Sequence, residues 1–327
     1  MWYPADVMLI DHLVPGMFTN MSSSVDSYVR ALLSMDLSQR PPPKPAVFHG
    51  RDKEVRQLVE QALSIHSAPL GIVGPGGIGK TTLALQVLHD PDIRQQFYNN
   101  RVFVSCEGVA SVDDVLSRLA LKIGAKLSEK TSIWSSVIDT LRSNKITFIV
   151  LDNFESIWSP ADEVMREASE VFLAQLAVLD EVTLLVTIRG NHLPENFSWA
   201  NSRTAELDTL SSTAARQVFC DLTFLEPDVL AAEPENGALT QLLKEVDFVP
   251  LAITLLARLD DLPSRLLPEW FEYFTDILAA DRHDGTRREL NVEVSIKISL
   301  AHLPPETAEL KTRQLLSICG QLPAGLL

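Results

Sequence analysis

The residues most able to do chemistry lie in one run. Gly74, Pro75, Gly76, Gly77, Ile78, Gly79, Lys80 and Thr81 satisfy the pattern G-x-x-x-x-G-K-S/T, and Thr82 adds a second hydroxyl. Glycines permit positive φ and let successive backbone N–H groups face phosphate oxygens, while a helix starting at the end of the loop adds the positive end of its dipole. Lys80 supplies a movable cation for β- and γ-phosphates, the Thr81 hydroxyl a ligand for Mg²⁺, and Thr82 a hydroxyl near the α-phosphate. A random chain of this length would place the four fixed residues roughly once in a hundred. Here an apolar run precedes Gly74 and a helical pattern follows Lys80, the strand and helix that the chemistry needs.

A phosphate cradle needs a metal partner, and the run "ITFIVLDNFES" offers one: an apolar strand ending in Asp152. A carboxylate at the C-terminal end of a parallel strand is placed to hold the Mg²⁺ water shell. Hydrolytic relatives usually carry a second acid at the next position. Here it is Asn153, which orients water but is not a base. Glu155, two residues on, either substitutes for that acid or is a solvent-facing loop residue. Arg189 ends the run "VTLLVTIR" before Gly190 and is placed to sense a γ-phosphate. Asp152, Asn153, Glu155 and Arg189 are thus the candidate catalytic set, Thr81 and Asp152 the candidate metal ligands, and hydrolysis is expected to be slow and Mg²⁺-dependent at most.

The elements that must position these groups alternate between residues 69 and 207. Short β-rich runs at 69–73, 101–106, 145–152, 182–189 and 203–207 are separated by helical patterns such as Asp113–Leu127 and Thr131–Arg142. Nearly continuous apolar runs are what buried parallel strands look like. The fold class is therefore α/β, a P-loop NTPase parallel sheet with helices on both faces, followed by a small helical subdomain. Before it, Val55, Leu58, Val59, Ala62 and Leu63 mark one buried helical face, and "RPPPKPAVF" reads as an extended linker after a short helix near Ser24–Met35. After residue 208 helical patterns follow one another, with Ser211 as a cap and Pro250 at a first turn.

Charge and composition exclude some functions. Against 28 basic residues stand 43 acidic ones, a net charge of -15, and the one Arg-rich point, "DRHDGTRREL", is interleaved with acids and reads as a solvated loop. Neither nucleic acid nor an anionic membrane surface fits. The three cysteines have no metal or disulfide spacing, and no apolar run reaches bilayer length. A cytoplasmic protein without a membrane span is expected.

Taken in order, these motifs resemble the NB-ARC domains of STAND-class ATPases, the nucleotide switches of plant and fungal NLR-type receptors. "FHGRDKEV" is similar to the family's opening Gly-Arg-Glu segment with Asp52 for Glu, "RVFVSCEG" to its second-strand motif, and "LVTIR" to its Thr-Thr-Arg sensor with Ile188 for the second threonine. "LDTLSSTAARQVF" resembles the start of its helical subdomain, and "FVPLAI" its Gly-Leu-Pro-Leu-Ala motif with Phe248 for Gly. The resemblance implies ADP or ATP with Mg²⁺ as ligands, with Pro250 packing on the adenine and Val47, Phe48 and Arg51 forming the other side of its pocket.

It further implies a division into an N-terminal segment (1–46), the nucleotide-binding domain (47–207), the helical subdomain (208–285) and a partial winged helix (286–327). The implied function is a switch, nucleotide state controlling conformation and self-association or pairing with full-length relatives. Two alternatives stay open at this point: a truncated decoy, since the family's Met-His-Asp segment does not occur before Leu327, and a P-loop ATPase turning over on a separate substrate.

Overall fold

A computed structural model describes residues 40–302 apart from 65–68, 128–130, 144–145, 159–161, 191–192, 195–198, 200–203, 226–233, 235–236, 260 and 280–286. The chain divides into Met1–Arg40 and Pro41–Leu327, and the elements below all belong to the second unit. The helix expected near Ser24–Met35, most of residues 225–237 and the part of the expected winged helix after residue 302 lie outside the described residues.

The elements run α1 (Asp52–Ala62), β1 (Leu70–Gly74), α2 (Lys80–Leu88), α3 (Pro91–Phe97), β2 (Arg101–Ser105), α4 (Val112–Ile123), α5 (Ile133–Ser143), β3 (Thr147–Asp152), α6 (Glu155–Trp158), α7 (Glu163–Ala177), β4 (Val182–Arg189) and β5 (Thr204–Glu206). Helices alone follow: α8 (Ser212–Leu222), α9 (Ala238–Glu245), α10 (Pro250–Ala257), α11 (Pro263–Ala279) and α12 (Arg287–Ala301). Local chemistry sets many of these ends. The side chains of Asp90, Ser111, Asp162 and Ser211 accept N–H groups of the first turns of α3, α4, α7 and α8. Gly124, left-handed with φ 68°, stops α4 before the Leu127 expected from periodicity.

The five strands are parallel, in the order β2-β3-β4-β1-β5. Successive side chains of a strand point to opposite faces, and both faces are covered. Ile149 and Leu151 of β3 join a core with α4, α5 and α7. Phe148 and Val150 join another with α1, α2 and α3. Being buried on both sides removes the polar alternation, which is why these strands read as unbroken apolar runs.

A further core belongs to the helices after residue 210, with Phe219, Leu243, Ile253 and Trp270 at its centre. Leu290, Val294 and Ile298 of α12 pack into it as well. The Arg-rich point is thus no simple solvated loop: its last residues begin α12, with Leu290 buried. No described helix is long and apolar enough to cross a membrane.

The proline-rich segment also differs from a free linker. Pro45 is buried, and its carbonyl and that of Pro42 are bonded to side chains of α2 and its C-cap.

Candidate functional site

The glycine loop joins β1 to α2, and its conformation comes from residues that only glycine suits. Gly79 caps α2 with φ 95°, and Gly77 has φ 72°. At Gly77 space matters too: a Cβ there would stand 2.9 Å from Cβ of Leu251. The Gly77 carbonyl accepts the Leu251 N–H at 3.1 Å, so α10 rests directly on the loop. Ile78 is buried beneath it. Lys80, also buried, folds its Nζ back to donate to the carbonyls of Gly74 (3.0 Å) and Pro75 (2.9 Å). Burial draws its pKa down, against the negative charges of Glu155 and Asp152.

Asp152 ends β3 fully buried. Its Oδ1 accepts the hydroxyl of Thr187 on β4 at 2.7 Å, and both of its oxygens lie 3.0 Å from the Thr81 hydroxyl. Loss of water is the main force on the carboxyl and pushes its pKa up to about 6, while the Thr187 and Thr81 hydrogen bonds pull the other way. Thr187 also acts on the backbone. Its Oγ1 accepts the N–H of Asn153 at 3.0 Å, which fixes Asn153 in a left-handed turn of φ 55°. Asn is among the few side-chain-bearing residues that adopt this conformation readily.

Glu155 begins α6, and its Oε2 accepts the backbone N–H of Arg189 at 3.0 Å. The acid therefore holds the end of β4, which a reading by spacing alone does not reveal. Arg189 itself reaches over the loop, its Cζ 3.4 Å from where a Cβ on Gly76 would stand. A residue that sequence reasoning missed, Glu107, hydrogen-bonds the Asn153 side chain, and burial together with Glu155 raises its pKa. A signal for it existed. Glu107 belongs to the run RVFVSCEG, and the structure registers Ser105 of β2 with Asp152 of β3, so the residues just past both strands emerge at the same edge of the sheet.

The expected base-binding residues meet around one cavity of about 650 Å³. Val47, Phe48 and Arg51 line one side, Ile78, Gly79 and Thr82 the loop side, and Pro250 with Thr254 the side toward the helices. The Arg51 guanidinium, nearly buried, donates to the Asp208 carbonyl and to Glu54. Phe248, standing where the resembling motif has glycine, has φ 52°, and Asp247 before it has φ 51°. The backbone takes a glycine-like path although both residues carry a Cβ, at a cost of about 1–2 kcal/mol each. Two hydrogen bonds close the end of α9 in return: Phe248 N–H to Leu243 O at 3.0 Å and Asp247 N–H to Lys244 O at 2.9 Å. Pro250 then takes the first position of α10, where its missing N–H costs nothing.

Arg288 of α12 ties two of these corners together. Its Nη2 meets Asp208 Oδ1 at 2.7 Å and its Nε meets Asp247 Oδ2 at 3.1 Å. Half-exposed ion pairs contribute about 0–1 kcal/mol, so this contact fixes the position of α12 more than it stabilises it.

The groups gathered here fit a Mg²⁺–nucleotide pair: a buried lysine folded against the glycine loop, and a buried carboxylate beside a hydroxyl. Among the described residues no cluster of three or more His, Cys, Asp or Glu is placed to hold a metal, so an ion held by Thr81 and Asp152 would need further oxygens from water and phosphate.

The family model for the NB-ARC domain matches residues 51–228, more than half of the chain. Disease resistance RPP13-like protein 4 of Arabidopsis thaliana is 23% identical over 262 residues, covering 79% of this chain and 29% of that protein. The regulatory protein AfsR of Streptomyces coelicolor is 28% identical over 298 residues, covering 82% and 27%. A putative HTH-type transcriptional regulator of Mycobacterium tuberculosis is 25% identical over 266 residues, covering 80% and 28%. The chain thus spans less than a third of the length of these relatives. Among solved structures, a STAND protein with a tetratricopeptide repeat sensor from Pyrococcus horikoshii is similar with a TM-score of 0.49 at 15% identity, over 86% of this chain and 36% of that one. The ORC1 protein of Aeropyrum pernix, solved in complex with DNA, is similar with a TM-score of 0.48 at 18% identity, over 87% and 75%.

Proposed function

Because this chain belongs to the NB-ARC family and carries its P-loop nucleotide-binding module, we propose that it is an ADP/ATP switch in which the bound nucleotide sets how the helical layer sits on the sheet. The observation that carries this reading is the Leu251 N–H on the Gly77 carbonyl. The first N–H groups of a helix have no partner within it. That of Leu251, at the second position of α10, finds one on the phosphate loop itself, so a change in the loop is felt by α10 directly. Val292 of α12 approaches the same glycine, 3.5 Å from a Cβ built there.

The residues divide the work. Lys80 and the loop hold phosphate oxygens; Thr81 and Asp152 hold Mg²⁺; Val47, Phe48, Arg51 and Pro250 enclose the adenine. Bound ATP supplies a γ-phosphate charge that ADP lacks. Arg189, lying over Gly76, meets that charge, and only such a differential contact can move an equilibrium between two arrangements. Asn153 orients water without deprotonating it, and Glu155 is engaged by the Arg189 N–H, so hydrolysis is slow and resets the switch. Self-association, or pairing with related proteins, follows the ATP-bound arrangement, and the setting is cytoplasmic signalling.

Purification, denaturation and chromatography of the released nucleotide test this reading. About one ADP per chain is expected by the binding stoichiometry of a single P-loop, with turnover of added ATP slow. A folded protein that carries and binds no adenine nucleotide would overturn it, and so would rapid multiple turnover.

A further inference from the structure

The wall of the base cavity extends beyond the family motif. Pro43, Lys44, Pro45 and Ala46 line the cavity together with Val47 and Phe48, and Pro45 is buried although both its neighbours are exposed. This stretch is fastened on its other side to the helix that carries the phosphate loop. The Pro42 carbonyl lies 2.7 Å from Nε2 of His89, and the Pro45 carbonyl accepts from Nε2 of Gln86 at 3.5 Å.

The pairing has a geometric reason. A proline-rich segment favours an extended helix of three residues per turn, which puts carbonyls three residues apart on one side. Residues three apart at a helix end likewise share a side. Carbonyls 42 and 45 therefore meet side chains 89 and 86 in antiparallel order. His89 is the donor because the Pro42 carbonyl can only accept; burial draws the ring's pKa down, against the Pro42 hydrogen bond, which raises it.

We propose that residues 43–46 are a strap forming the outer wall of the nucleotide pocket, fastened by Gln86 and His89, and that nucleotide leaves when the strap comes off α2. The inference rests on the reading that this cavity takes the adenine base. Gln86 and His89 line no part of that cavity, so their effect on the nucleotide passes through the strap. A ligand that touches the strap only when it is docked favours docking by its differential affinity.

The test combines release kinetics with hydrogen exchange. Gln86→Met removes a donor while keeping volume in a buried place, and His89→Ala removes the second donor; fluorescent ADP is chased from the wild type and from the double variant. Loss of two hydrogen bonds is expected to speed release about tenfold with the association rate unchanged. His89→Gln, which keeps a donor, should restore part of the slow release. In the wild type, ADP should slow amide exchange at Lys44 and Ala46, and in the double variant that effect should vanish. Wild-type release rates in the double variant, or exchange at Lys44 and Ala46 indifferent to ADP, would overturn the strap while leaving nucleotide binding intact. A folded wild type that binds no ADP would refute the underlying reading, and the strap with it.

Discussion

Lys80→Ala is expected to give a folded protein that carries no nucleotide and binds ADP about a hundredfold more weakly, the effect of losing roughly 3 kcal/mol of charge-assisted hydrogen bonding. The folded state should survive. Among the described residues the Nζ bonds only to carbonyls of its own loop, at Gly74 and Pro75, and alanine is the better helix former at the start of α2. What the substitution removes is a cation held against the loop where phosphate oxygens gather. Titration calorimetry with ADP, run beside a thermal melt, separates loss of binding from loss of fold. Undiminished ADP retention in the variant would sink the assignment of the loop.

Arg189→Ala should discriminate between nucleotides. ATP is expected to bind some ten- to a hundredfold more weakly, the range of one charge-assisted contact, while ADP changes little. The position supports the asymmetry. Arg189 is held at its backbone by Glu155 and at its side chain lies over Gly76, the outer part of the loop, whereas Lys80 sits in its floor. Because the guanidinium belongs to an exposed residue, its removal leaves no cavity in the core. Equal losses for ADP and ATP would show that it does not read the γ-phosphate.

Much of this is legible in the residues because it is local. The loop pattern, the apolar run into Asp152 and the caps at Ser211 and Pro250 each draw on neighbours within a few positions, and the structure brings Lys80, Thr81, Asp152 and Arg189 to one edge of the sheet. What the residues alone do not reveal depends on contacts between distant segments. By spacing Glu155 is a spare acid, yet its carboxylate lies on the Arg189 N–H, 34 residues away. Glu107 lies inside the second-strand run RVFVSCEG, but that run does not say that its carboxylate meets Asn153, 46 residues on. Arg288 reads as solvated because its partners, Asp208 and Asp247, lie 80 and 41 residues away. The prolines at 41–45 predict an extended shape, and shape alone does not say what the segment lies against. Phe248 teaches the converse: its side chain departs from the family motif, while its backbone, at φ 52°, does not.

Amide exchange at Leu251, compared between the ADP-loaded protein and the protein with Mg²⁺ and a non-hydrolysable ATP analogue, tests the switch most directly. That N–H has its partner on Gly77 of the loop, at 3.1 Å, and none in its own helix, so its protection reports contact between loop and helix and little else. Strong protection with ADP and exchange at least about tenfold faster with the ATP analogue is the expected result, the shift a differential contact of roughly 1.4 kcal/mol produces. Equal protection in the two states, with both nucleotides shown to be bound, would contradict a nucleotide-dependent rearrangement of the helical layer.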